Sequence, residues 1–269
     1  MNIKESEFIT EIEETTANMY RLGWNERNGG NISVLLKDEE IAPYLQGFVV
    51  KRKIGLPVTF KELAGKYFVI SGTGKYFKNI KKNPEENLGL MRISDDGTYV
   101  SLLWGYSNGG TFTSEIAMHL SAHMQRLNAG DDQRVVIHAH PANTVAMTHI
   151  HSWDEREFTM ALWNMMTECI VIFPEGVAVL PWMVSSGNDI GTKSSEKFKD
   201  FRILVWALHG ITATGTSLDE AFGLIETVEK AAEIYMKISG KQTREGIDKK
   251  MLMSIATVFG LEVRKDWLD

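Results

Sequence analysis

Seven short runs rich in β-branched and aromatic residues recur along the chain, at 32–35, 67–70, 99–104, 135–140, 169–173, 177–180 and 203–208. Turn residues or stretches of helical periodicity separate them, so the chain has to build a sheet and cover it with helices, as α/β and α+β folds do. Over 5–22, Phe8, Ile9, Ile12, Met19 and Leu22 fall close to helical spacing, and Gly23 ends the pattern. Between 113 and 127, Ile116, Leu120, Met124 and Leu127 share one helical face behind the capping residues Thr113 and Ser114. Ser217 with Glu220 fits a capping box ahead of Phe222, Ile225 and Val228, and a last helix is expected over about 244–259. The charged stretch 78–87 reads as a solvated loop. No internal repeat or low-complexity linker divides the chain, which predicts a single domain over 1–269.

Charge and cysteine usage narrow the partners. A formal net charge of −6 gives no general attraction for nucleic acid or an anionic membrane, so an anionic ligand would need a local pocket of cations or amides. Cys169 is the one cysteine, which excludes an intrachain disulfide and any multi-cysteine zinc site. The acidic start and the lack of a long apolar run lead to the expectation of a cytoplasmic protein.

Metal chemistry is suggested by Val135-Val-Ile-His138-Ala-His140-Pro141, a β-branched run with two histidines at i and i+2, hence on one face of a strand. A catalytic zinc takes three protein ligands and keeps one position open. His209 is the candidate third ligand, because it ends the strand-like run 203–209 beside Gly210. The competing reading is three separate, hydrogen-bonded histidines. His119 and His123, one turn apart on the expected helix with Glu115 a further turn back, are read as helix packing, since Leu120 stands where a zinc protease needs glutamate. His149 and His151 follow a helical stretch and are read as a loop pair.

Three segments rich in small residues and amides, Asn28-Gly-Gly-Asn31, Ser71-Gly-Thr-Gly-Lys75 and Thr113-Ser-Glu115, each offer a place for an oxyanion. Glycines let backbone N–H groups approach a phosphate, hydroxyls add donors, and the third segment lies at a helix N-terminus. Turn chemistry alone would explain any one of them. Neither a nucleotide P-loop nor a dinucleotide fingerprint fits, because Gly74-Lys75 lacks the earlier glycine and Gly72-x-Gly74 lacks the third. Glu115 could exchange protons with a substrate there or merely offset the helix dipole. Glu168, just before the run 169–173, is by itself a strand-edge carboxylate.

Taken in order, Asn-Gly-Gly-Asn, Ser-Gly-Thr-Gly-Lys, Thr-Ser-Glu, His-x-His and the distant His209-Gly210 resemble the class II aldolase/adducin family. The likeness extends through 23–28, 167–176, 180–183 and 218–225, nearly the whole chain. It implies one α/β/α three-layer domain with a largely antiparallel central sheet, in a homotetramer whose sites lie between subunits. By the same resemblance His138, His140 and His209 would bind Zn2+, Glu115 would be the acid/base, and Glu168 would reach the neighbouring site. Asn28, Gly30, Asn31, Ser71, Gly72, Thr73, Gly74, Thr113 and Ser114 would surround the substrate and its phosphate. The implied reaction is aldol cleavage of a phosphorylated ketose to dihydroxyacetone phosphate and L-lactaldehyde, with zinc as Lewis acid and no Schiff-base lysine. Family epimerases resemble aspartate users where Glu115 stands, and the retained histidines speak against an adducin-like binding role.

Overall fold

The computed structural model describes residues 2–185 and 188–268. Its first half runs α1 (Glu7–Arg21), β1 (Asn31–Leu36), α2 (Asp38–Leu45), β2 (Arg52–Gly55), β3 (Tyr67–Ser71), α3 (Phe77–Ile80), α4 (Pro84–Asn87), β4 (Leu88–Ile93), β5 (Tyr99–Gly105) and α5 (Ile116–Asn128). The second half runs β6 (Val135–Ala139), α6 (Ala142–Ile150), α7 (Glu155–Trp163), α8 (Thr167–Ile172), β7 (Ala178–Leu180), α9 (Asn188–Lys197), β8 (Ile203–Trp206), β9 (Gly210–Gly215), α10 (Leu218–Ile238), α11 (Lys249–Phe259) and α12 (Lys265–Leu268).

Among the described residues the strands form one nine-stranded sheet, ordered β2-β5-β4-β3-β1-β6-β9-β8-β7. Every junction is antiparallel except β7 with β8. Alternation along the strands decides which cover each residue meets. In β1, Ile32, Val34 and Leu36 join a core with Phe8, Ile9 and Ile12 of α1 and Leu224, Ile225 and Val228 of α10. Leu35 points the other way, into a second core with Phe68, Ile70, Met91 and Val100 and with Ile116 and Leu120 of α5. The fold is therefore a three-layer α/β/α arrangement around a largely antiparallel sheet. The same alternation sends Asn31 and Ser33 toward α5, and α5 also packs on α9.

Two local expectations are corrected. The run 169–173 is not a strand: it forms most of α8, closed by Phe173 N–H donating to the Cys169 carbonyl at 3.0 Å. A short apolar run carries no period that separates buried strand from buried helix. Here Cys169 and Ile170 are buried while Ile172 is exposed, as one face of a helix requires. The stretch 78–87 is not a plain loop either. It holds the end of α3 and all of α4, with Pro84 in the first turn of α4 and Asn87 Nδ2 donating to the Asn79 and Asn83 carbonyls.

Candidate metal and catalytic site

β6 and the turn between β8 and β9 deliver the histidines. β6 lies between β1 and β9, which sets His138 opposite Asn31 on one side and Thr212 on the other. His140 follows two residues later, its N–H donating to the Trp24 carbonyl at 2.8 Å. His209 is not on a strand: β8 ends at Trp206, and the turn of 207–209 swings the side chain back over the strand ends. Leu208 makes that turn with a φ of 62°. The result is a cluster in which one ligand atom from each of His138, His140 and His209 lies within 4.8 Å of the others. Trp206 packs against the rings of His138 and His209, with centroids 4.8 and 5.1 Å away.

The protonation pattern follows from the outer contacts. His138 turns Nδ1 to the Ile211 carbonyl at 3.0 Å and to Thr212 Oγ1 at 3.1 Å. A carbonyl only accepts, so Nδ1 carries the proton and Nε2 a lone pair. His140 Nδ1 faces the Glu26 carboxylate oxygens at 3.0 and 3.1 Å, which accept its proton and leave Nε2 turned toward the cluster. The two Nε2 atoms lie 3.2 Å apart, close enough for one cation to take both as ligands. Burial, reinforced by His140 and His209, holds His138 well below the ordinary histidine range. Burial likewise brings His209 down to about 4. His138 and His209 stay neutral, and His138 and His140 are oriented from behind by oxygen acceptors, which fits a divalent metal that keeps an open position. Backbone clearance contributes as well: a Cβ at Gly29 would stand 2.8 Å from His140 Nδ1, and one at Gly30 would stand 2.7 Å from the His138 carbonyl oxygen.

Glu115 is the N-terminal boundary residue of α5, and its carboxylate stands 3.8 Å from His138 Nε2. Burial raises it to about 7 against the opposing pull of its hydrogen bond from Asn31 Nδ2 at 2.8 Å. The Ser71–Gly74 and Thr111–Ser114 segments lie side by side, with Thr113 N–H donating to the Ser71 carbonyl and Thr73 N–H to the Thr111 carbonyl. Ser71 Oγ is turned inward and accepts the Ile32 N–H at 3.1 Å. Thr73, Thr113 and Ser114 line a cavity of about 570 Å³. Asn28 is exposed, in the loop that leads through Gly29 to Gly30 and β1.

Glu168 is exposed in the first turn of α8 and opens on a separate cavity of about 600 Å³ beside Trp24 and Glu229. An open cavity of about 600 Å³ beside His140 and His209 has Ala142, Val145, Ala146 and Leu208 in its walls, with His149 and Glu26 at its edge. His149 is on α6 rather than in a loop. Glu26, Thr212 and Trp206 were not singled out in the sequence. Nothing in their spacing ties them to the histidines, because the contacts arise only when β6 lies beside β9 and the loop before β1 folds over His140.

Comparison with known proteins identifies the family. Residues 10–236 match the family described as Class II Aldolase and Adducin N-terminal domain. A rhamnulose-1-phosphate aldolase of Listeria monocytogenes serotype 4b is 47% identical over 269 residues, covering 100% of this chain and 98% of the relative. Its namesake from Enterococcus faecalis is 45% identical, covering 100% and 97%. Among solved structures, a sugar-phosphate aldolase from Thermotoga maritima superposes with a TM-score of 0.76 at 25% identity, over 88% of this chain and 97% of that one. An L-fuculose 1-phosphate aldolase shares the fold, with a TM-score of 0.63 at 19% identity over 96% and 98%. The chain belongs to the Class II Aldolase and Adducin N-terminal domain family.

Proposed function

We propose that this chain cleaves L-rhamnulose 1-phosphate to dihydroxyacetone phosphate and L-lactaldehyde, and runs the reverse condensation, with zinc held by His138, His140 and His209. The observation that carries the reading is the convergence of three histidines, one of them 3.8 Å from the carboxylate of Glu115, in a chain whose full-length relatives carry the corresponding name. When bound, zinc supplies Lewis-acid polarisation of the ketose carbonyl and stabilises the negative charge that cleavage leaves.

The protein's own groups do the rest. Breaking the C3–C4 bond releases the proton of the C4 hydroxyl, leaves the electron pair on C3, and ends when C3 takes up a proton. Glu115 carries that proton to and from C3. The paired segments at 71–74 and 111–114, with the loop through Asn28 and Gly30, supply hydroxyl and N–H donors to the phosphate. Glu168, supplied by a neighbouring subunit, takes the hydroxyl proton on the aldehyde side.

On this reading the chain works as one domain over 1–269, in the cytoplasm, within a homotetramer whose sites lie between subunits. Support for the shared site comes from Glu168, which is exposed and opens on a different cavity from its own chain's histidines. Among the described residues no helix is long and apolar enough to cross a membrane.

The test is product analysis with rhamnulose, fuculose and ribulose phosphates, with and without a chelator. Cleavage of rhamnulose 1-phosphate that disappears on chelation and returns with zinc is expected. Preference for fuculose 1-phosphate, epimerisation of ribulose phosphate, or full activity in metal-free protein would each overturn it. Alanine at His138, His140 or His209 should lower zinc content, whereas alanine at His149 or His151 should not.

A further inference from the structure

Behind Glu115 lies a buried file of polar groups that the proposed chemistry does not use. Glu115, His119 and His123 recur every four residues, so they stack along one face of α5. Asn31 and Ser33 alternate on the face of β1 that looks at α5. Four helical residues rise about 6 Å. Two strand residues rise about 6.8 Å, so the two sets interdigitate. Asn31 Nδ2 donates to Glu115 Oε2 at 2.8 Å, and Asn31 Oδ1 meets His119 Nε2. His119 Nδ1 meets Ser33 Oγ at 2.7 Å, and Ser33 Oγ meets His123 Nε2 at 2.8 Å.

With Glu115 ionised and the Asn31 amide in its observed orientation, those contacts admit one proton assignment. An ionised carboxylate only accepts, so Asn31 gives its N–H to Glu115. An amide oxygen only accepts, so His119 Nε2 carries a proton. Burial brings His119 down to about 3, so the ring is neutral and its Nδ1 accepts the Ser33 hydroxyl proton. Ser33 Oγ in turn accepts from His123 Nε2. The remaining His123 Nδ1 is buried without a partner among the described residues, and the Phe68 ring lies against His123 with centroids 5.0 Å apart. A file in which the one orphan is a lone pair beside an aromatic ring avoids burying an unpaired N–H.

We infer that His123, Ser33, His119 and Asn31 form a one-way hydrogen-bond relay in which every group donates toward Glu115, and that His119 is a positioning residue for the carboxylate. Its Nε2–H fixes which end of the Asn31 amide faces Glu115. Without that donor the amide is free to rotate and set its oxygen against the carboxylate, which drives Glu115 away from His138. The catalytic consequence rests on the reading of Glu115 as the acid/base.

The proton assignment is read in the unaltered enzyme by nitrogen NMR of histidine-labelled protein, where His119 and His123 should both appear as neutral Nε2–H tautomers. A His119 that carries its proton on Nδ1 overturns the relay and leaves Glu115 untouched. Function is read with two amide substitutions. His119→Gln places an N–H where Nε2 stood, whereas His119→Asn places its polar atoms near Nδ1. The glutamine variant should retain kcat within about threefold, while the asparagine variant loses about 10- to 100-fold with KM and zinc content unchanged. Equal losses in the two variants, or a loss seen in KM or zinc content instead of kcat, overturn the positioning role. Glu115→Gln is measured alongside by hydrogen isotope exchange into dihydroxyacetone phosphate. Wild-type exchange there overturns the acid/base reading and the relay's catalytic role with it, and the tautomer result shows which of the two failed.

Discussion

The Leu208 N–H donates to Thr148 Oγ1 over 3.0 Å, and this bond spans from α6 to the turn that presents His209. Leu208 lies in the left-handed region at a φ of 62°, a conformation that costs a non-glycine residue about 1 kcal/mol or more and persists only where the surroundings impose it. The Thr148 hydroxyl donates to the Val145 carbonyl at 2.6 Å, leaving a lone pair for Leu208. Valine at 148 keeps the shape, removes both bonds and frees the turn. Thr148→Val should weaken zinc binding by about tenfold or more, the usual effect of removing a group that orients a ligand. Thr148→Ser should restore it. Zinc titration decides the matter, and equal affinity in all three proteins would mean the turn holds His209 without this bond.

Gly210 begins β9 directly under the cluster. A Cβ there would press on the Ala139 carbonyl oxygen, and would stand 2.9 Å from His140 Cδ2 and 3.1 Å from His138 Cε1. Backbone on one side and two rings on the other leave no flexible neighbour to yield. Gly210→Ala should cost about 1–3 kcal/mol of stability by overpacking. It should also lower zinc occupancy, because the rings must part to admit the methyl group. Denaturant unfolding and metal analysis together test this. A variant as stable and as fully loaded as the wild type would show that the sheet relaxes there.

How far these features could be read from the chain depends on the range of the interaction. α1, α5 and α10 announce themselves by period, and the i, i+2 histidines announce a shared strand face, because both are local geometry. The 169–173 run misleads because β-branched residues in a run of five fit either a strand or the buried side of a short helix. β9 passed unnoticed, since Gly210-Ile-Thr-Ala-Thr-Gly215 has modest hydrophobicity between two glycines and gains its burial from β6 and β8. Reading His119 and His123 as helix packing captures their burial and misses their partners. The four-residue spacing of 115, 119 and 123 is visible in the sequence, and so is the two-residue spacing of 31 and 33. That the two series mesh depends on β1 lying under α5, which only the sheet order supplies.

Cys169 offers a check on the α8 correction. Its side chain is buried on the inner face of the helix, and burial, with a smaller push from Glu168, raises the thiol to about 12. In the native protein a thiol reagent should label it slowly, without the rise centred at about pH 8.5 that a free thiol shows. In denaturant that rise should return. The sign for stability follows: above the unfolded thiol's value the native state holds a proton that the unfolded state has lost, so stability falls as pH rises from about 8.5 toward about 12. Cys169→Ala should remove this part of the alkaline slope. Rapid native labelling would place the thiol on the outer face and undo the helical assignment.

Glu168 tests assembly. In one chain it opens on a cavity separate from the one beside the histidines, next to Trp24 and Glu229, which favours a role in a neighbouring site. A ring of head-to-tail subunits would bring each Glu168 to the next subunit's histidines, and every site would then draw on two chains. Two differently damaged chains should rebuild an intact site wherever a neighbour supplies the missing group. His138→Ala leaves Glu168 in place, and Glu168→Ala leaves the histidines in place, so mixing and reassembling the two inactive proteins should restore activity at a fraction of the interfaces. A double variant carrying both changes on one chain, mixed with itself, should restore nothing. The oligomeric state measured alongside must be larger than a monomer. If reassembled mixed oligomers are no more active than their parents, Glu168 acts within its own subunit, and the case for sites between subunits falls with it.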